Sequence, residues 1–544
     1  MERRLVVAIL LMIAVAVLPS LFTKPAPRRA RAPGDTTRVS AAAPESARAA
    51  PPPPAPARPR PAVAPAAAPE TVVVATTAAR YRLSSLGASL VGAEMSTYRS
   101  YASATRGQPV ELLRPDAPML TQRLVVGRDT VALDSVRFAV QGGAERATFR
   151  GRAGQLDVLV SVTPREGQPY RLEVAGQVDG LGGQGALLLV GLGSGFANVE
   201  ADSASNYRSY GVVGRRTGPV SLAFGKLKPG ETAALDGPFD WVAVKSKYFI
   251  GALLSADSSQ PSFGGVVATG EPRASRYAVS ADAWATLPVG PDGRFGYSLY
   301  LGPQEYRQLR SLGRQLDKAS PYGWIFKPIV MPVSVWITEL LLWMHQRLSL
   351  AYGWVLILFG IAIRLVLWPL NQKAMMSSVA MQAVQPLMKD IQTRYKDDPQ
   401  RLQQEMMKLY REHKVNPFGS CLPMLIPFPI LLALFFVFAN TIAFRGASFL
   451  WLPDLSLRDP TYVIPVVMGA SMWALSKLGQ MGMPPNPQAK MMTTIMPIMM
   501  TVLFLNFASG LNLYYAVSNL VSLPQQYLIN KARVREMARR KASS

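Results

Sequence analysis

Past residue 350 the chain carries five apolar blocks, 351–370, 422–444, 462–478, 493–508 and 511–529. Each approaches the ~20 residues that an α-helix needs to cross the hydrocarbon core of a bilayer. Trp354 and Trp368 stand near the ends of the first block, Trp451 follows the second and Tyr462 opens the third. Such amphipathic rings settle at membrane–water interfaces. A further apolar run, 5–17, follows the basic start Met1-Glu2-Arg3-Arg4. The chain therefore reads as a polytopic α-helical membrane protein with about six transmembrane helices.

The N-terminal run is either a cleaved signal peptide or a retained signal anchor. Ala14-Val15-Ala16 is a weak cleavage motif, which favours the anchor, and no cysteine follows to direct lipoprotein processing. From 25 to 69 the sequence is mostly Ala, Pro and Arg, too poor in large apolar side chains to offset its ordering entropy, and reads as an extended tether. From 71 to 302 short apolar segments alternate with period two between Gly, Pro and Asp. In 170–178, Tyr170, Leu172, Val174 and Val178 share one face. Segments 156–162, 186–192, 241–254 and 295–301 are further strand candidates. Together they predict a large all-β domain of sandwich type. Residues 304–317 turn helical, with Tyr306, Leu309, Leu312 and Leu316 at three-to-four spacing.

Charge decides the topology. Lys and Arg number 58 against 34 Asp and Glu, a formal charge of +24. Only 17% of residues are charged and 49% are hydrophobic, so the excess is segregated rather than spread over a nucleic-acid-binding surface. Segment 325–348 is apolar but holds Lys327, Pro328, Pro332, Glu339, His345 and Arg347. If it lies flat as an amphipathic helix, the N-terminus, the loop 371–416 and the tail after 529 share one side. These are the basic parts, which the positive-inside rule places in the cytoplasm, with the β-domain exported.

Within the first block sits Arg364, between Ile361-Ala362-Ile363 and Leu365-Val366-Leu367. A charge at that depth costs on the order of 2.5–3.5 kcal/mol, so Arg364 is expected to face a wet or protein-lined cavity rather than to snorkel to lipid phosphate. The five blocks contain no Asp or Glu. Asn506, Asn512, Ser518, Asn519, Gln525 and Gln526 are the polar candidates around it. Their alternative role is hydrogen bonding between helices, the better reading for Gln525 and Gln526. The loop 371–416 reads as two helices around a turn, with Asp398 as N-cap and Pro399 at the first helical position. Met491, Met492, Met496, Met499 and Met500 suit a surface that accepts varied apolar segments, or serve as lipid-facing filler. Gly191-Leu192-Gly193-Ser194-Gly195 lacks the Lys-Ser/Thr of a phosphate loop. One cysteine, Cys421, and two distant histidines, His345 and His413, leave no expected metal or cofactor.

Several stretches carry a family resemblance. They are Arg364 in its span, Asn416-Pro417-Phe418-Gly419-Ser420-Cys421-Leu422-Pro423, Leu452-Pro453-Asp454-Leu455-Ser456 with Asp459-Pro460, and Ser509-Gly510-Leu511-Asn512-Leu513-Tyr514-Tyr515 leading into Ser518-Asn519. With 241–249 and Leu301-Gly302-Pro303, the chain resembles the YidC/Oxa/Alb family of membrane protein insertases, in the Gram-negative-type form with a large periplasmic domain. The resemblance implies a non-enzymatic insertase and chaperone of the bacterial inner membrane. Five core helices would enclose a hydrophilic groove open to the cytoplasm and to lipid, and closed outside. Arg364, Asn506, Asn512, Tyr514, Tyr515, Ser518 and Asn519 are the expected groove residues. The implied organisation is an anchor helix 1–23, an Ala/Pro-rich linker 24–70 and a periplasmic β-supersandwich 71–320, largely dispensable for insertion. An interfacial helix 321–350, a transmembrane helix 351–371, a cytoplasmic hairpin 372–416, the remaining spans 417–529 and a basic tail 530–544 follow. The partners implied are nascent membrane proteins and the Sec translocon, with ribosome or signal-recognition machinery and anionic lipid at the hairpin and tail. Pro427 and Gly360 depart from the family, which often has Gln and Thr there, and imply a less polar groove. The competing readings are a transporter or channel, disfavoured by the missing intramembrane carboxylates and inverted repeat, and a non-catalytic Sec-associated scaffold.

Overall fold

A computed structural model describes residues 68–542, except 217, 257–261, 274–278, 321–325, 397, 414, 416–427 and 482–490. The N-terminal run, the tether, the 416–423 motif and Pro427 lie outside the described residues.

The period-two segments build three antiparallel sheets of four, nine and six strands. The middle of the nine-stranded sheet is Trp241–Lys245, Phe249–Ser255, Arg294–Pro303 and Arg171–Asp179, in that order. The six-stranded sheet is centred on Ala281–Val289 and Ala186–Gly193. Tyr170, Leu172, Val174 and Val178 all point into one core, with Trp241, Phe239, Phe263 and Tyr297. Arg171–Asp179 alternates buried and accessible residues, whereas Trp241–Lys245 and Phe249–Ser255 are buried on both faces at the centre of the domain.

Two expectations need correction. Segment 241–254 is not one strand but a hairpin, turning at 246–248, where Ser246 and Phe249 exchange hydrogen bonds. The helix expected over 304–317 is only Tyr306–Ser311 (α2, after α1 at Ser203–Arg208), followed by a 3-10 turn, Leu316–Lys318. Arg314 and Gln315 take left-handed φ of 51° and 56°. The β-domain imposes that break: Trp241 Nε1 donates to the Arg314 carbonyl at 2.9 Å, and the Arg314 guanidinium reaches the carbonyls of Asp240 and Ser255. Tertiary hydrogen bonds here override helical spacing.

Beyond residue 326 the chain is helical. The helices are α3 (Lys327–Leu348), α4 (Tyr352–Ala383), α5 (Gln385–Arg394), α6 (Pro399–Glu412), α7 (Phe428–Asn440), α8 (Val463–Gly479), α9 (Met496–Phe504, preceded by a π turn, Met491–Ile495) and α10 (Ser509–Ala542). Pro328–Leu348 and Tyr352–Gln372 are each long and apolar enough to cross a bilayer; Phe428–Asn440, Val463–Gly479 and Thr493–Phe504 are shorter apolar helices. Asp398 caps α6 by accepting from Arg401 N. The helices α8 and α10 pack together, α10 packs on α4, and α3 packs on α7. Their shared core joins Ile337, Leu341, Phe359, Leu434, Phe438 and Leu511. Ile495, Ile498, Met499 and Val502 are left exposed.

One loop, 441–462, joins this bundle to the β-domain. Arg445 enters the β-domain with its side chain 3% exposed, and its Nε lies 2.9 and 2.8 Å from the two carboxylate oxygens of Glu200. The other guanidinium nitrogens donate to the carbonyls of Arg99 (2.8 Å) and Val199 (3.1 Å), and the plane lies 4.6 Å from the Tyr101 ring centre. Burial pushes the Glu200 carboxyl up from its ordinary value, and the Arg445 charge pulls it back. Removing one member of such a pair strands the other in an apolar site, at a cost of about 3–5 kcal/mol.

Arg445→Ala is therefore expected to loosen the junction and expose loop 441–462 to limited proteolysis while the bundle stays folded. Arg445→Lys should rescue little, because a single ammonium cannot serve Glu200 and two divergent carbonyls at once. A second prediction concerns Lys245, buried in its strand so that its pKa falls to about 8. Between that value and the ordinary lysine value of ~10.4 the folded chain holds fewer protons than the unfolded one, so stability rises with pH across this window. Lys245→Met should raise the melting temperature at pH 7 by several degrees and flatten its dependence between pH 8 and 10.

Candidate functional site

The charge that the apolar blocks make conspicuous sits between α4 and α10. Arg364 lies ten residues after Trp354 and four before Trp368. At 1.5 Å per helical residue that is about 15 and about 6 Å from the two aromatic levels. Its Nε donates to the Ser518 carbonyl at 3.1 Å and to Ser518 Oγ at 2.9 Å. The four N–H groups of its two terminal nitrogens have no hydrogen-bond partner among the described residues, and neither nitrogen is a sealed, unsatisfied atom. Tyr514 and Tyr515 lie within electrostatic reach, and Tyr514 packs 5.7 Å from the ring of Phe359, five residues before Arg364 on the same helix. The arrangement is a half-satisfied guanidinium beside two aromatic rings, with donors to spare.

The close approach of α4 and α10 depends on Gly360. A Cβ there would meet Val517 Cγ1 at 3.3 Å and Tyr514 Cδ2 at 3.5 Å. A Thr at this position would add branches to an already tight contact, so its absence brings the helices together around Arg364.

The remaining expected groove residues are placed elsewhere. Asn519 turns to α8 and donates to Ser471 Oγ at 3.2 Å. Asn512 is fully buried, donates to the Phe504 carbonyl at 3.0 Å at the end of α9, and leaves its own Oδ1 unpaired. Asn506 is exposed in the turn between α9 and α10. Arg364, Tyr514, Tyr515 and Ser518 are brought together; Asn506, Asn512 and Asn519 are not part of that group. Gln525 donates to the Trp368 carbonyl and Asn530 to that of Leu478, joining α10 to α4 and to α8. Ser471 was not singled out from sequence, although a small polar residue inside block 462–478 is itself a signal for an interhelical hydrogen bond.

The loop at the β-domain end closes over these helices. Asp459 accepts from the backbone N–H of Ile464 (2.8 Å) and Thr461 (2.9 Å) and from Thr461 Oγ1 (2.7 Å), capping the start of α8. Burial raises its carboxyl, but these hydrogen bonds outweigh it and hold the group below the usual carboxylate range. The carbonyls of Leu457 and Leu455 accept from Ser509 N and Gly510 N at the start of α10. Gly510 is required there, because a Cβ would overlap the Phe438 ring.

Comparison with known proteins agrees with this architecture. Residues 71–344 match the family described as the YidC periplasmic domain, and 343–536 match the 60Kd inner membrane protein family. A membrane protein insertase YidC of Syntrophus aciditrophicus is 35% identical over 344 residues, covering 62% of this chain and 60% of that protein. The matched region thus spans 60% of that relative's length, under two thirds. The YidC of Anaeromyxobacter dehalogenans is 30% identical over 442 residues, covering 78% of this chain and 76% of the relative. A crystal structure described as an active YidC insertase with its first transmembrane domain resolved aligns over 84% of this chain and 92% of its own, at 17% identity and a TM-score of 0.34. Matched through both its β-domain and its helical bundle, the chain belongs to the YidC family of inner membrane proteins.

Proposed function

We propose that the chain inserts membrane proteins into the bacterial inner membrane and assists their folding, with Arg364 as the residue that receives the polar part of the substrate. The observation that carries this reading is a guanidinium inside a span, its Nε 2.9 Å from Ser518 Oγ, with four N–H groups that have no partner among the described residues and with Tyr514 and Tyr515 within electrostatic reach. A donor set of that kind, without a carboxylate counter-ion among the described residues, is suited to a transient acidic or carbonyl-rich segment. Charge-assisted hydrogen bonds there replace part of the hydration that an extracellular tail loses on entering the bilayer. The apolar part of the substrate leaves sideways past the exposed Leu365 and Val366. No bond is made or broken in such a step.

The proposed topology puts the β-domain outside and the hairpin of α5 and α6, the N-terminus and the basic end of α10 in the cytoplasm. Helix α3 is the test of this arrangement. Ser320, at the end of the β-domain, lines the same cavity as Gln346, near the end of α3. From Ser320 the chain reaches Phe326, where α3 starts, in six peptide steps, at most ~20 Å. That is short of a ~30 Å hydrocarbon core, which supports α3 as a helix that dips in from the outer surface rather than one that crosses. Exposed Trp336 and Trp343 suit this position. The hairpin and tail are the parts available to the ribosome, the Sec translocon or anionic lipid.

In vesicles reconstituted with the purified full chain, insertion of a single-span substrate with an acidic external tail should fall about tenfold for Arg364→Ala, the equivalent of one charge-assisted hydrogen bond. Arg364→Lys should retain most of the activity, and neutralising the substrate tail should abolish the difference. Unchanged insertion by Arg364→Ala would remove the electrostatic role. No insertion by the wild-type chain alone would point to a scaffold.

A further inference from the structure

The β-domain, the end of α3, the start of α4 and the end of α7 enclose a cavity of about 230 Å³. It is separate from the Arg364 group. Its walls include the rings of Tyr98, Tyr306 and Tyr352 and the carboxylates of Glu305 and Asp317. Neither carboxylate has a hydrogen bond or ion pair among the described residues. Thr338, also in the wall, is 5% exposed, and its hydroxyl has no partner among the described residues. Glu305 and Asp317, by contrast, are half-buried at the cavity wall. Burial raises the Glu305 carboxyl, and Arg307 opposes the shift.

The rim has the opposite charge. Arg307 is exposed on α2 and donates to Gln346 of α3 at 3.3 Å, and Arg310 pairs with Glu339 at 3.2 Å. The site therefore offers two carboxylates and three tyrosines in its walls, with the Arg307 guanidinium bonded to Gln346 of the same walls. Aromatic rings beside carboxylates bind an organic ammonium, and an arginine at the mouth binds the phosphate attached to it. Unpaired acceptors need N–H donors, which a primary ammonium has and a quaternary one lacks.

We propose that this cavity binds the headgroup of a zwitterionic phospholipid carrying a primary ammonium, phosphatidylethanolamine, from the outer leaflet. The ammonium sits between Glu305, Asp317 and Thr338, the phosphate lies against Arg307, and the acyl chains run down beside Trp336 and Trp343. The inference rests on the topology proposed above, which puts this junction at the outer surface. The bound lipid then fastens the β-domain, α3 and α4 to the plane of the membrane.

The test uses the purified full chain, delipidated in detergent and titrated with dioleoyl phosphatidylethanolamine, phosphatidylcholine or phosphatidylglycerol, with bound lipid counted by native mass spectrometry. Phosphatidylethanolamine should bind about tenfold more tightly than either other lipid, as expected for one charge-assisted contact. The preference should vanish in Glu305→Gln/Asp317→Asn at an unchanged melting temperature. Should that double variant fail to fold, Gln346→Lys, which adds a cation to the wall, should also abolish it. Equal binding of the three lipids, or a preference that survives in a folded variant, overturns the proposal. Displacement of the lipid by an equal concentration of glycerophosphoethanolamine overturns the lipid source and assigns the cavity to a soluble zwitterion. Insertion through Arg364 is read in the separate vesicle assay, so failure of either reading leaves the other's result distinct.

Discussion

The loop 441–462 is the constraint on which the rest of this structure depends. It caps α8 through Asp459, supplies carbonyls to the first turn of α10, and sends Arg445 into the β-domain to meet Glu200. Two helix starts and a domain junction are thereby fixed by one segment. The Arg445–Glu200 pair and the bonds from Ser456 N and Ile464 N to Asp454 and Asp459 are buried, so each is worth more than the same contact on the surface and is expensive to lose. The positions of α4 and α10, and with them the distance from Arg364 to Ser518, follow from how this loop holds their ends, since Phe449 of the loop also packs 5.4 Å from Trp354.

Much of this was legible in the chain because the bilayer and the pleated sheet each impose a simple period. The apolar blocks located α4, α7, α8, α9 and α10, and alternation located the strands, since burial on one face leaves little freedom for the pattern. The β-domain departed from pattern where hydrogen bonds across long sequence distances took over. Trp241 and Arg314 are 73 residues apart, and their bond ends a helix that local spacing would continue. No periodicity encodes such a contact. Asp454 and Asp459 were noticed through family resemblance alone. The structure supplies their physical reason, because both carboxylates satisfy backbone N–H groups that a turn and a helix start would otherwise leave unpaired.

The same distinction holds at the site. Arg364 was conspicuous because a charge in an apolar run has few explanations. The asparagines were not resolvable in the same way, since an Asn in a span is equally a groove residue or a bond between helices. Helix rotation decides between these roles. Ser518 faces α4, whereas Asn519, one residue on, is turned by 100° toward α8 and Ser471. A single-residue step thus separates the group around Arg364 from the scaffold that holds it.

The two ends of the bundle differ in a way that bears on mechanism. At the β-domain end the helices are joined by loop backbone, by Asp459 and by the Arg445–Glu200 pair. At the other end α4 and α10 run on as single long helices, to Ala383 and Ala542, well past Trp368 and Gln525 where they still touch. In the proposed mechanism a segment enters between α4 and α10 at this end, where Gln525 and Asn530 bond to carbonyls of α4 and α8. In the proposed topology that end is cytoplasmic, where substrates arrive. Arg364 lies nearer to it, about 6 Å from the Trp368 level, so an incoming polar segment meets the charge before it meets the closed end. In the proposed mechanism the depth of the charge and the side of closure act together: the guanidinium draws the polar segment part-way in, and the apolar helix leaves sideways into lipid past Leu365 and Val366.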